Sequence, residues 1–417
     1  MAAVNNSNAL SLELEKVTSP LRELYESDDM FYSSISKGSV DKISQRQMRV
    51  PLEIAPGGSF SYFNPDGGDL GRGGGPQYDK AVVSCVFVNE AIEYTKAAEW
   101  GTDDSRKAVV QVVRRLISRS FLELRRQLDS QMMQTGNGAI GTIGSVATSG
   151  GVDTYTCDSD GFGVRLMRQG QTIQVYDTTL ATLRGSGVIT SWDVENKQVE
   201  VTPAIAGAIA TDRIVVNGIS SPTALPAIFG VPYHDSNAST GTWLGFDRAT
   251  TPQIRASAVD ANNNALTLPL PRLAINKIGN RVGINNTFKP VAWMHPCQQQ
   301  AYEEIGQLII QIHKQPKSEG LDMYFNDSMQ MAGASVRTSF NWDMTRIDFI
   351  SKEVWKRAEI LPLGFYKTDG RNIFEIRGAS GGVATSDIFY LVNGLQTYVN
   401  NPAACSYIHS LAVPSGY

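Results

Sequence analysis

The sequence predicts an α+β fold of two or three lobes, and three features predict it. Residues 49–88 read as a long two-stranded arm with a glycine-rich tip, and one long amphipathic helix follows over 103–134. From about 160 to 218 the apolar period then changes from helical to two. At 417 residues the chain exceeds what one ordinary core holds.

Residues 1–48 form an N-terminal arm whose first thirty are polar and acidic, with Glu13, Glu15, Glu23, Glu26, Asp28 and Asp29 against Lys16 and Arg22. Leu10, Leu12, Leu14, Val17 and Leu21 would support a short helix; a terminus with little to bury fits equally. In the extended segment 49–88, Val50, Leu52 and Ile54 alternate with polar residues, and Val82, Cys85, Phe87 and Val88 read as the return strand. The tip between them, from Phe63 to Pro76, is so rich in glycine and proline that it forms neither helix nor ladder. Stretches of this kind beyond about a dozen residues are functional or disordered. A two-stranded ribbon is marginal on its own, so a second subunit is expected to supply the surface it lacks.

Thr102, Asp103, Asp104 and Ser105 provide N-cap oxygens and acidic charge for the helix start. Val109, Val113, Ile117, Phe121, Leu124, Leu128 and Met132 then recur every three or four residues as one apolar stripe, with Gly136 as a C-terminal cap. At about 1.5 Å per residue this is a rod of roughly 48 Å. Arg114, Arg115, Arg119, Arg125 and Arg126 cover its other faces.

Residues 136–155 read as a Gly/Ser/Thr-rich connector. The module at 160–218 carries Ile173 and Val175, then Val188, Thr190 and Trp192, then Val199 and Val201, then Ile214 and Val216, with a turn at Asp193–Lys197. It is expected to be a small β-barrel-like domain inserted into an α/β framework. Beyond it, Pro271 opens a helix carrying Ala274, Ile275, Ile278 and Val282 that ends near Gly283. Val291–Met294 is a buried strand, Pro296 starts a helix with Ala301, Ile305, Leu308 and Ile312, and 336–340 and 347–349 alternate about a turn at Asn341-Trp342-Asp343. Asn393-Gly394, between Ile388–Val392 and Leu395–Val399, gives a strong two-residue hairpin signal.

A formal net charge of −4 argues against a protein that lives on DNA through counterion release, though not against a container wall that faces DNA. Cys85, Cys157, Cys297 and Cys405 form no C-x-x-C pair, which suits a reducing cytoplasm and gives neither structural zinc nor a disulfide framework. No secretory signal opens the chain, and no apolar run approaches a membrane span.

Several motifs hint at chemistry. Gly378-Ala379-Ser380-Gly381-Gly382 fits the G-x-S-x-G elbow of a serine hydrolase, but Asp387–Val392 behind it reads as strand where the elbow needs a helix. The glycines from Gly67 to Gly75 lack the Lys-Ser/Thr of a phosphate-cradling loop. His295 and Cys297 are half a metal site at most, beside a helix start at Pro296. No catalytic residue, cofactor or metal is therefore expected. Asp66, Asp69 and Arg72 on the tip are candidates for pairing with a neighbouring subunit and setting register. Arg114, Arg115, Arg125, Arg126 and Trp342 are further contact candidates.

This order of parts resembles the major capsid protein of tailed bacteriophages, the Hong Kong 97-like fold shared with encapsulins. Individual phrases are similar to phage capsid sequences as well: Gly230-Val231-Pro232-Tyr233-His234, Thr242 to Arg248, Trp293-Met294-His295-Pro296, Met331-Ala332-Gly333-Ala334 and Tyr398 to Pro402. The resemblance implies an extended loop at 49–88 lying over a neighbour and a peripheral domain at 89–159 with its spine helix. It implies an inserted domain at 160–218, an axial domain at 219–330, peripheral strands at 331–372 and an axial part again at 373–417. It further implies hexamers and pentamers tiling an icosahedral shell around double-stranded DNA, bound without sequence specificity. A portal protein and a decoration or cement protein would be partners. With no scaffolding domain ahead of the arm, a separate scaffolding protein is expected. The shell would assemble in the host bacterial cytoplasm and reside in the virion. Two alternatives stand beside it: an encapsulin-like cargo compartment and, more distantly, a hydrolase built on Ser380.

Overall fold

A computed structural model of the chain describes residues 30–38, 41–42, 46–55, 57–62, 65–67, 72–95, 106–157, 161–283, 289–313, 330–368, 370–377 and 383–416. The chain divides into two compact units. The first comprises Met1–Ser33, Val86–Asp129 and Glu359–Leu395, and the second Ser34–Cys85, Ser130–Ala358 and Gln396–Tyr417.

The first unit is organised by one long strand, Val383–Val399, paired antiparallel with Val86–Thr95 from Leu395↔Val86 to Ser386↔Thr95. Ile373–Arg377 adds to it through Ile373↔Phe389 and Phe374↔Ile388. Strand alternation gives this sheet two faces. Phe389 and Leu391 are buried on one, whereas Ile388, Tyr390 and Val392 are half-buried on the other. The long helix, Arg106–Met132, brings Phe121 edge to face with Phe365 at 5.6 Å, and Phe365 meets Phe389 at 6.0 Å. Leu124 and Leu128 of the predicted stripe are buried, each contributing about 2 kcal/mol by leaving water. The predicted cap residues Thr102–Ser105 lie outside the described residues, as do the side chains of Val109 and Val113.

Asn393-Gly394 is not a turn. The strand runs straight through it, with Asn393 opposite Val88 and Gly394 opposite Phe87. A β-carbon on Gly394 would stand 2.8 Å from the Phe87 ring and 3.1 Å from Leu361 Cβ, so glycine here makes room for neighbouring strands. Tertiary pairing overrides the local turn signal because ten consecutive partners on Val86–Thr95 satisfy the backbone more fully than a tight turn would.

The second unit holds a hairpin, Gln47–Ala55 against Gln77–Ser84, and two larger sheets. In the seven-stranded sheet the order is Ala139–Thr142, Arg213–Val216, Thr172–Tyr176, Leu183–Asp193, Gln198–Thr202, Val152–Thr156, Ser145–Ser149. All the strands read between 172 and 216 are present. The stretch 136–155, expected to be a connector, instead supplies three strands. In Ser145–Ser149 the Ser and Thr residues are exposed, while Ile140, Thr142 and Tyr155 of the other two strands are buried.

The six-stranded sheet runs Ser257–Asp260, Ser406–His409, Ile347–Ser351, Pro290–Met294, Ala334–Thr338, Gln330–Met331. Pro290–Met294 separates 334–338 from 347–351, so the two alternating segments do not pair as one hairpin. Strands 334–338 and 347–351, expected in a lobe apart from 219–330, share one sheet and one core with it. That core joins Val259, Ala292, Met294, Ile347, Phe349 and Ile408 to Ala274 and Ile278 of the helix Pro269–Val282. The helix ends at Gly283, at φ 82°, as read from the sequence.

Candidate functional site

The hairpin is the feature most in need of a partner. Its ladder runs from Gln47↔Ser84 to Ala55↔Gln77 and is extended by Gly58 N–H donating to the Gly74 carbonyl at 2.7 Å. Near its root one face packs inward through Met48, Val50, Ala81 and Val83, all buried. Outward along the ribbon burial disappears. Phe60 is 88% and Tyr62 93% exposed, their rings edge to face at 5.4 Å.

The root is fastened by polar contacts that gather the quoted sequence phrases. Val82 N–H donates to the Leu244 carbonyl at 3.0 Å, and Leu244 N–H donates to the Tyr233 hydroxyl oxygen at 3.0 Å. Thr242–Trp243 and Phe246–Asp247 form a minute hairpin whose turn puts Leu244 and Gly245 at φ 47° and 96°. Trp243 Nε1–H donates to His234 Nδ1 at 3.0 Å. With Nδ1 accepting, Nε2 carries the proton and donates to Thr397 Oγ1 at 3.1 Å, and the Thr397 hydroxyl donates on to the Phe229 carbonyl. Burial holds the His234 imidazole neutral, its pKa pushed down to about 3. Both ring nitrogens are committed, so this histidine is a fastener and not a base. Gly230 explains its own identity: a β-carbon would lie 2.1 Å from the Met132 carbonyl oxygen and 2.2 Å from that of Gln134.

A second buried cluster lies in the same unit. Arg346 Nε donates to both Asp348 carboxylate oxygens at 2.8 and 3.0 Å, and Arg346 Nη2 to the Asp235 carbonyl at 3.0 Å. Asp348 and Asp235 are fully buried. Burial lifts both carboxyls, with Arg346 opposing it at Asp348 and Asp348 adding to it at Asp235. In the first unit, Glu90 is raised to about 7 by burial and by Glu123, against the pull of Arg126.

The contact candidates read from the sequence separate under this geometry. Asp66, Arg72 and Arg125 are exposed; Asp69 and the side chains of Arg114 and Arg115 lie outside the described residues. Trp342 and Arg126 are corrections. Trp342 is 2% exposed, stacked on Trp293 at 5.5 Å and donating Nε1–H to Asp348 at 3.0 Å. Arg126 is 1% exposed and bound to Glu123 at 2.9 Å. Both are held inside the chain and offer no surface to a neighbour. His295 Nδ1 accepts Cys297 N–H at 3.1 Å at the helix start, and burial pushes the Cys297 thiol up to about 11. The Ser380 motif lies outside the described residues. All four cysteines are buried thiols outside any disulfide. Among the described residues no helix is long and apolar enough to cross a membrane.

Sequence reasoning passed over Phe60 and Tyr62, although two aromatics set two apart among glycines, serines and prolines were a visible signal. It also gave no role to His234 or Asp348, whose partners lie far along the chain.

No protein-family model and no curated protein matches the sequence. Among solved structures, a chain of the Cyanophage A-1(L) capsid asymmetric unit is similar with TM-score 0.57 and 12% identity, covering 95% of this chain and 96% of that one. The capsid of a native GTA particle aligns with TM-score 0.46 and 11% identity over 99% and 100% of the two chains. An encapsulin complex from Synechococcus elongatus aligns with TM-score 0.47 and 8% identity over 100% and 98%. The last two similarities are too low to carry an argument. The first shows that the chain has the α+β fold of a phage capsid protein.

Proposed function

From the fold of a tailed-phage capsid protein, we propose that this chain is the major capsid protein of such a phage, a structural subunit and not an enzyme. The observation that carries the proposal is the projecting hairpin: a ribbon buried at its root and bare at its aromatic tip, on a capsid-protein fold. Asp41–Lys42 adds a third strand at the root only, opposite Arg49 and Met48, so beyond it the ribbon has two strands and lacks a stabilising surface, which a neighbouring subunit supplies.

In this reading residues 49–88 are the extended loop and Arg106–Met132 the spine of a peripheral domain. The six-stranded sheet belongs to the axial domain, and the seven-stranded sheet is an inserted domain. Subunits close into hexamers and pentamers and tile an icosahedral shell, each contact modest and the summed area large. Double-stranded DNA is held without sequence specificity, which the net charge of −4 permits because the DNA is enclosed by a wall and not gripped by a basic surface. A separate scaffolding protein and a portal protein are partners in this reading, a decoration or cement protein is an optional third, and Asp66, Arg72 and Arg125 remain exposed candidates for contacts within the shell.

Negative-stain electron microscopy of the purified chain, with and without nuclease, tests the proposal. Closed shells or rings of five and six, with DNA protected inside, are expected. Shells holding protein cargo and no DNA would make the particle a compartment instead. A monodisperse monomer at high concentration, unchanged by a scaffolding protein, would refute the shell.

A further inference from the structure

Two features of the second unit match each other. The first is the Phe60–Tyr62 pair, about the most solvent-exposed aromatic surface on the described chain. Each such ring buries about 150–250 Å² in a contact, so the pair offers about 300–500 Å², a large part of the roughly 800 Å² per partner of a standard interface. The second is a cleft of about 530 Å³ at the hairpin root, lined by Leu52, Ile254, Val282 and Pro402 together with Glu53 and Arg281. Its walls present more apolar than polar surface. Arg281 donates Nη2 to the Pro252 carbonyl at 2.8 Å and Nη1 to that of Arg255, which fixes it as part of the wall.

The pair cannot enter the cleft of its own chain. Leu52 and Glu53 belong to both the cleft and the ladder, and the two strands stay side by side out to Gly58 and Gly74. Ile54 is the outermost cleft residue on this strand, and at about 3.4 Å per residue the paired ribbon from there to Gly58 carries the chain up to about 14 Å beyond the cleft before the rings begin. Folding back would break the ladder.

We propose that the Phe60–Tyr62 pair of one copy seats in this cleft of a second copy. The choice of a second copy rests on the shell reading, and two observations favour it. Tip and cleft are separate places on one chain that cannot meet within it, so two copies can join them head to tail, and in the shell reading that contact repeats from subunit to subunit until a ring closes. Charge also matches: exposed Arg72 follows the tip, and Glu53 lines the cleft.

The test uses the full chain carrying Tyr62→Cys and Gln253→Cys, treated with a short bis-maleimide at assembly concentration while particles are counted by electron microscopy. Gln253 lines the cleft and is exposed, and the native cysteines are buried. The double variant is expected to give a ladder of covalent multimers that neither single variant gives. Adding Phe60→Ala should cut the ladder about tenfold, the loss of a modest hot spot. Shells without the ladder would overturn the docking site and leave the shell reading intact. A ladder without shells would support the docking and sink the shell reading, and the absence of both would sink the two together. A ladder from Tyr62→Cys alone would set tip against tip and overturn the proposal.

Discussion

Replacing Asp348 with Asn keeps the side chain's shape and an oxygen for the Trp342 Nε1–H, and removes the charge opposite Arg346 together with one of the two oxygens that accept from its Nε. The closest N–O approach of the pair is 2.7 Å, and Asp348 is fully buried. At an effective dielectric near 20 that separation is worth about 6 kcal/mol of attraction. Taking both ions out of water costs several kcal/mol each, so the pair as a whole contributes little. Removing one partner is different, because the guanidinium stays buried without a carboxylate hydrogen-bonded to it, keeping only the Asp235 carbonyl and the Tyr407 ring. Asp348→Asn is therefore expected to destabilise the chain by about 3–5 kcal/mol. Arg346→Met added to Asp348→Asn should recover to within about 1 kcal/mol of the parent, since an apolar chain then fills the space without a stranded charge. Urea unfolding of the unassembled chain, followed by tryptophan fluorescence, measures both, with Trp342 and Trp293 as reporters beside the site. Concentration must be kept low so that subunit association does not add to the apparent stability. A single variant that loses less than about 1 kcal/mol, or a double variant no better than the single, would refute the reasoning.

Three other perturbations have defined outcomes. Glu90 holds a proton in the folded chain up to about pH 7, where the unfolded chain releases it at 4.5. The stabilisation is thus complete below 4.5 and is lost as pH climbs to about 7; Glu90→Gln should flatten a fall of about 3 kcal/mol, seen by comparing urea midpoints of parent and variant across that window. Gly230→Ala drives a methyl into two backbone carbonyl oxygens that cannot rotate away, and should remove about 3 kcal/mol or more; a thermal midpoint unchanged from the parent would contradict the packing. Gly394→Ala should destabilise by about 1–2 kcal/mol, and that loss should shrink in a Phe87→Ala background, because the clash is with a half-exposed ring. If Phe87→Ala gave no relief, strand crowding would not be the reason for the glycine.

The parts of the fold legible in the sequence are those whose two faces meet different surroundings. The stripe ending in Leu124, Leu128 and Met132 announced the long helix, alternation announced Thr172–Tyr176 and Gln198–Thr202, and a continuous apolar run announced the buried strand Pro290–Met294. The hairpin was legible too, because glycine and proline punctuate a chain whatever surrounds it, but its return strand ends at Ser84: Phe87 and Val88, read as part of it, belong to Val86–Thr95 and pair with Gly394 and Asn393. Short polar strands such as Ser145–Ser149 were not legible, since their residues carry little apolar signal and gain their ladder only from Val152–Thr156 beside them.

By itself, then, the sequence determined the long helix, the strands with a clear apolar pattern and the projecting ribbon, through signals that act over a few residues. Partnership was decided only by the tertiary structure. Asn393-Gly394 is strand and not turn because Val86–Thr95, some three hundred residues earlier, lies beside it. His234 is a fastener because Trp243 and Thr397 take both its nitrogens, and Trp342 is core and not contact surface because Trp293 and Asp348 enclose it. A local pattern records how a residue should be divided between water and protein. It does not record which distant group will complete the burial, because that choice depends on closing long loops and packing many side chains at once.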